Sequence, residues 1–150
     1  MKNQILEVFT DEYFMQKALI EAQTAFDKGE IPVGAIVVIN DTIIARSHNL
    51  TEMLHDVTAH AEMQAITAAA NYLGGKYLTN CTLFVTLEPC QMCAGALYWS
   101  QISKIVFGAS DENRGFLKMK TQLHPKTEVV SGVLSNKCST LMKRFFQQKR

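Results

Sequence analysis

The chain has 150 residues, 47% hydrophobic and 19% charged, a composition that suits one domain with a sizeable core and excludes a disordered tail. No run of about 18 apolar residues occurs, which excludes a membrane-spanning helix, and acids at Glu7, Asp11 and Glu12 interrupt the N-terminal segment before an apolar leader can form, so a cytoplasmic protein is expected. The net charge of +1 conceals a split: residues 1–100 carry five Lys/Arg against eleven Asp/Glu, and residues 101–150 carry ten against three, which points to a polyanionic partner at the basic end.

From Asp11 to about Lys28, apolar residues at helical spacing (Phe14, Ala18, Ala22, Ala25) follow Thr10 or Asp11 as N-cap, and Gly29 ends the helix. The run VGAIVVI at 33–39 predicts a strand covered on both faces, Asn40-Asp41 a turn, and TIIARS its hairpin partner. Thr58 is placed to cap an Ala-rich helix from about Ala59 to Leu73, stopped by Gly74-Gly75. CTLFVTL at 81–87 predicts a third strand, and Pro89 opens a helix through about Trp99. ISKIVFG at 102–108 and TEVVSG at 127–132 predict two more strands, with a short helix suggested at Gly115-Phe116-Leu117 and a basic helix from Ser135 to about Gln148. The joint 109–126 is long enough for a crossover, so the last two strands are expected to run parallel. Helices interleaved with buried strands imply a three-layer α/β/α sandwich around a five-stranded mixed sheet, spanning 1–150 as one domain with 135–150 as its basic C-terminal helix.

Four cysteines are present, and two form C-x-x-C at 90–93. Cys81 and Cys138 lie in apolar patterns and read as small buried hydrophobes. Cys90 and Cys93 share one helix face and start a helix, where the dipole and free N–H groups favour the thiolate that binds metal. His60 offers a nitrogen to the same ion. Two sulfurs and one imidazole suit tetrahedral Zn²⁺, one per subunit, with the fourth position left to water, whose pKa then falls to about 7. A closed structural site would need a fourth ligand, and neither His48 nor His55 has finger-type spacing. Glu62 lies about 200° from His60 around a helix, yet at a helix end approached end-on both reach one pocket, where a carboxylate beside activated water moves its proton to a substrate nitrogen.

H-A-E at 60–62 with P-C-Q-M-C at 89–93 matches the H-x-E…P-C-x-x-C signature of zinc-dependent nucleoside and nucleobase deaminases. E-I-P-V-G-A-I-V-V at 30–38, T-A-H-A-E-M at 58–63, L-F-V-T-L-E-P-C-Q-M-C-A-G-A-L at 83–97, I-V-F-G-A-S-D at 105–111 and the final L-M-K-R-F-F-Q-Q-K-R resemble the bacterial tRNA-specific adenosine deaminase family. The resemblance implies a cytidine deaminase-like fold, a homodimer, and conversion of the wobble adenosine of a tRNA anticodon stem-loop to inosine with release of ammonia. It further implies His60, Cys90 and Cys93 as zinc ligands, Glu62 as proton shuttle, Asn49 on the target base, Pro32 and Val33 lining the pocket, and Asp111 near the nucleotide backbone. Phe145, Phe146, Lys149 and Arg150 would contact RNA. Adjacent helical residues cannot share one groove, so one of Phe145 and Phe146 is expected in the core. Tyr98 and Trp99 read as core or as a dimer contact, with core preferred. The loop 109–126 is shorter and less basic than is usual in the family. A deaminase of a free nucleobase or nucleoside would carry the same motif, and only the basic end and the whole-chain likeness speak against it. A zinc-stabilised nucleic-acid-binding module would require a fourth protein ligand.

Overall fold

A computed structural model describes residues 7–149, and the Arg150 expectation lies outside them. The first helix, α1 (Asp11–Asp27), starts where its sequence directs: Thr10 is the N-cap, its hydroxyl accepts from the Tyr13 N–H at 3.2 Å, and Asp11 and Glu12 occupy the dipole-favoured first turn. The strands β1 (Gly34–Ile39) and β2 (Thr42–His48) form the expected hairpin. Helix α2 (Ala61–Leu73), strand β3 (Thr82–Leu87), helix α3 (Gln91–Ser100) and strands β4 (Lys104–Ala109) and β5 (Glu128–Val130) follow, and α4 (Ser135–Gln148) ends the described chain. The sheet order is β2-β1-β3-β4-β5; β1 is antiparallel to both its neighbours, while β3–β4 and β4–β5 are parallel, as the long joint implied.

Both faces of the sheet are covered, which is why its central strands read as unbroken apolar runs. Alternate residues go to opposite layers. Ala35, Val37, Leu83, Val85, Ile105 and Phe107 pack with Ala61, Ala65 and Ala69 of α2 and Ala94 and Leu97 of α3. Ile36, Val38, Phe84 and Val106 pack with Phe14, Met15 and Ala18 of α1 and Cys138 of α4. Each fully buried aliphatic or aromatic side chain contributes about 1.5–3 kcal/mol. Helix α1 lies so close to β1 that a Cβ on Gly34 would fall on the Ala18 carbonyl oxygen, so only glycine fits there. Cys81 and Cys138 are buried, as their apolar surroundings implied. Among the described residues, no helix is long and apolar enough to cross a membrane.

Four expectations are corrected. Thr58 does not cap α2; its hydroxyl and N–H both go to Asp56 Oδ1, at 2.7 and 2.8 Å, and the helix starts at Ala61 with His60 as N-cap. Pro89 lies before α3, whose N-cap is Cys90 with extended backbone (φ −74°, ψ 175°), because the Pro89 carbonyl accepts the Phe116 N–H at 2.9 Å. Residues 115–117 start no more than a single turn: Met119 N reaches Gly115 O at 3.0 Å, but the next bonds run from Lys120 N to Leu117 O and from Thr121 N to Phe116 O, and Lys120 takes a left-handed φ of 54° that stops the helix. Trp99 is not in the core but 77% exposed.

Candidate active site

The two signature segments meet because α2 and α3 pack side by side on one face of the sheet with their N-termini together. Ser47 of β2 fixes the start of α2 by donating its hydroxyl to the Ala61 carbonyl at 2.7 Å. His60, the N-cap of α2, makes no cap bond with its side chain, which is free to turn toward α3. Its Nδ1 lies 3.6 Å from Cys90 Sγ and 3.5 Å from Cys93 Sγ. The three donor atoms lie within 4.8 Å of one another. An ion with Zn–S of about 2.3 Å and Zn–N of about 2.1 Å at tetrahedral angles spaces its nitrogen and sulfur ligands about 3.6 Å apart. The donor set therefore fits zinc in both chemistry and spacing.

Cys90 and Cys93 do not share a helix face in the sense first expected; they are the N-cap and third residue of α3, and converge at its end. The Cys90 thiol is held down to about 4, first by the hydrogen bond from the Cys93 thiol and then by His60 and the Cys93 N–H, against the effect of burial. Cys93 is pushed up, first as donor of that bond and then by its own burial. The His60 imidazole is raised above its ordinary value, first by its hydrogen bond with Cys90. Glu62, in the first turn of α2 and 4% exposed, is raised to about 7, chiefly by burial.

These groups open into a cavity of about 730 Å³. Ile31, Val33, Asn49 and Thr51 line one part of it, and Leu87 and Glu88 beside Cys90 another. Residues 109–114 and one stripe of α4 (Ser139, Met142, Lys143, Phe146) complete the wall. That stripe has the i, i+3, i+4, i+7 spacing of a single helix face, while Cys138, Leu141 and Phe145 face the interior. Asn49 is 5% exposed and donates its side-chain amide to Thr51 Oγ1 at 3.3 Å. Asp111 Oδ1 accepts the N–H groups of Asn113 and Arg114 at 3.1 and 3.0 Å.

The structure gathers His60, Glu62, Cys90, Asn49, Val33, Asp111 and Phe146 around one cavity, with Cys93 beneath. It does not bring Pro32, Phe145 or Lys149 to the cavity wall. Pro32 is buried beside Val33. Phe145 packs edge-on against Phe26, ring centres 5.9 Å apart, and Lys149 lies over the Phe145 ring. Sequence reasoning missed Arg114 and two buried acids, Glu30 and Glu88. No local pattern marks either acid, because the N–H groups that bury them come from residues distant in the chain.

The profile described as "Cytidine and deoxycytidylate deaminase zinc-binding region" matches residues 9–109. A tRNA-specific adenosine deaminase from Bacillus subtilis (strain 168) is 46% identical over 146 residues, covering 93% of this chain and 91% of its own. A solved structure from work on A-to-I editing by tRNA:A34 deaminases at the wobble position of transfer RNA superposes with a TM-score of 0.81 at 38% identity, covering 86% of this chain and 98% of the other. A guanine deaminase structure from Bacillus subtilis superposes less closely, with a TM-score of 0.65 at 36% identity, covering 68% of this chain and 66% of the other. With its donor set, fold and whole-length likeness in agreement, the chain belongs to the zinc-binding cytidine and deoxycytidylate deaminase family and, within it, to the tRNA-specific adenosine deaminases.

Proposed function

We propose that this chain hydrolyses the exocyclic amine of adenosine at the wobble position of a tRNA anticodon loop, giving inosine and ammonia. The observation that carries the reading is the cavity wall opposite the donor cluster. There α4 presents Met142, Lys143 and Phe146, and the loop after β4 presents Arg114, to whatever occupies the space over Glu62. A free purine needs no cation at the rim, whereas a nucleotide within RNA brings phosphates on both sides of its base. Among the described residues, the one ion pair joins Lys104 to Asp11, so neither Arg114 nor Lys143 has a carboxylate partner.

His60, Cys90 and Cys93 would hold the zinc, which when bound supplies the Lewis acid that makes water a nucleophile at neutral pH. Glu62 takes the proton of the attacking water and delivers it to the ring nitrogen beside the amine-bearing carbon, which becomes more electrophilic. The hydroxide so formed adds to that carbon, Glu62 then takes the remaining hydroxyl proton as the carbonyl forms, and it gives that proton to the amine, whose bond to carbon breaks so that ammonia leaves. Asn49 orients the base from its buried position, Val33 and Ile31 give it an apolar support, and Asp111 shapes the rim. Because a loop nucleotide is not locked in a duplex, turning it into the cavity costs only a few kcal/mol. Phe146, 46% exposed, offers a ring for a neighbouring base to stack on, and the exposed Lys149 adds positive charge at the end of α4.

A homodimer in the cytoplasm belongs to the same reading. It is supported by Trp99 on α3 and Tyr72 on α2, exposed to 77% and 63%, and is checked by the sedimentation of Trp99→Ala beside the native chain. The decisive test is inosine at the wobble position of candidate tRNAs after incubation with pure protein. Ammonia released from free guanine or cytosine, with none from an anticodon hairpin, would replace this reading with that of a free-base deaminase.

A further inference from the structure

Two buried acids take no part in the chemistry above, yet each ties down a loop that walls the cavity. Glu30 is 1% and Glu88 4% exposed, and neither belongs to an ion pair among the described residues. A carboxylate so buried is costly unless hydrogen bonds replace its water. In both cases both oxygens are committed to backbone N–H groups. Glu30 Oε1 accepts from Glu52 N at 3.0 Å and Oε2 from Met53 N at 2.8 Å. Glu88 Oε1 accepts from Asp111 N and Oε2 from Leu117 N, each at 3.0 Å.

The loops so held are the substrate-facing ones. Asn49 and Thr51 immediately precede the pair gripped by Glu30, and Asp111 to Arg114 lie within the span gripped by Glu88. The anchors are themselves joined to the site. Glu30 leads into Val33, whose carbonyl accepts the Asn49 N–H at 3.1 Å, so one short segment supports the cavity and restrains the Asn49 loop. Glu88 adjoins Pro89-Cys90; the Pro89 carbonyl accepts from Phe116 N, and Cys90 forms a β-bridge with Gly115. A Cβ on Gly115 would fall on the Glu88 carboxyl group, so the loop can be drawn this close only because that residue is glycine.

We propose that Glu30 and Glu88 are positioning residues, a pair of carboxylate staples that hold the two substrate-facing loops in register with the His60–Cys90–Cys93 centre. On the functional reading given above, which this inference builds on, they preform the pocket that receives the RNA nucleotide. Preorganised loops lose less freedom on binding, so the staples act on capture of the substrate more than on its conversion.

The test uses the zinc-loaded full chain with Glu30→Gln and Glu88→Gln. Glutamine keeps the shape but turns an amide NH₂ toward one N–H, leaving a donor facing a donor. Amide hydrogen exchange is expected to rise about ten- to hundredfold at Glu52 and Met53 in the first variant and at Asp111 and Leu117 in the second, with Ile36, Val85 and Val106 unchanged. With an anticodon hairpin as substrate, the loss of kcat/KM is expected about tenfold or more and mainly in KM. If Glu88→Gln fails to fold, Glu88→Asp, which is too short for both N–H groups to be reached at once, is read in the same way. Native protection at those four amides overturns the proposal, as does local loss of protection with KM unmoved. A wild-type enzyme inactive on the hairpin but active on a free purine would refute the RNA reading alone; exchange and the KM for that purine would then decide the staples.

Discussion

His60 Nδ1 and Cys90 Sγ, thirty residues apart in the chain, lie 3.6 Å from each other because each residue is the N-cap of its helix and the two helices are packed side by side. The metal site is therefore a joint between α2 and α3, and binding there should stabilise the whole fold. A ligand present at about a thousand times its dissociation constant adds about 4 kcal/mol, which for a chain of this size raises Tm by roughly 10 °C. Stripping the protein with a chelator should lower Tm by that order, and added zinc should restore it. His60→Ala should remove the zinc-dependent part of the shift, as read by calorimetry and metal analysis.

Glu62 lies in the first turn of α2 but is not one of the three donors. Glu62→Ala should therefore leave the zinc content intact while turnover falls by about 10²–10⁴-fold, the usual worth of a positioned proton shuttle. Metal analysis and a single-turnover assay on the same preparation separate the two effects. Retained turnover would remove Glu62 from the mechanism.

Arg114 and Lys143 reach the cavity from the loop after β4 and from α4. If both meet phosphates, each neutralising variant, Arg114→Gln or Lys143→Gln, should reduce the slope of log(kcat/KM) against log[salt] by about 0.7, the value for one phosphate contact on a single strand. Arg114→Lys and Lys143→Arg should restore the slope. Lys76, beyond the C-terminal end of α2 and about 20 Å from the site by helix length, serves as a cation whose loss should leave the slope unchanged.

Cys138 packs against Gly108 with its thiol pushed up to about 11 by burial. The folded state thus keeps its proton over a range in which the unfolded chain, with an ordinary value of 9.0, has lost it. Stability tied to this thiol is intact below pH 9 and falls as pH rises toward 11, on the order of 2 kcal/mol at that limit. Urea unfolding at pH 8 and 11 should show that loss in the native chain and a smaller one in Cys138→Ala, which is less stable at both pH values because of the cavity it leaves.

Much of this protein is written locally. The H-A-E and P-C-Q-M-C segments can be read without a structure because metal chemistry demands particular donors at particular spacings. The runs at 33–39, 81–87 and 102–108 can be read because a strand covered on both faces has no polar side to interrupt it. Helix α4 runs over the residues its apolar periodicity predicts, Ser135 to Gln148. Other features depend on partners distant in the chain. Asp56 takes the Thr58 hydroxyl from α2, the loop at 115–117 is tied to Pro89, Cys90 and Glu88 and turns off after Met119, and no local pattern announces either. Phe145 and Phe146 are alike as residues, and the docking of α4 against Phe26 decides which is interior and which faces the cavity. Glu30 and Glu88 look like ordinary surface acids until the chain folds and brings the N–H groups of Glu52, Met53, Asp111 and Leu117 to them. Side-chain chemistry and periodicity are properties of neighbours in sequence, whereas hydrogen-bond competition and burial are settled only among neighbours in space.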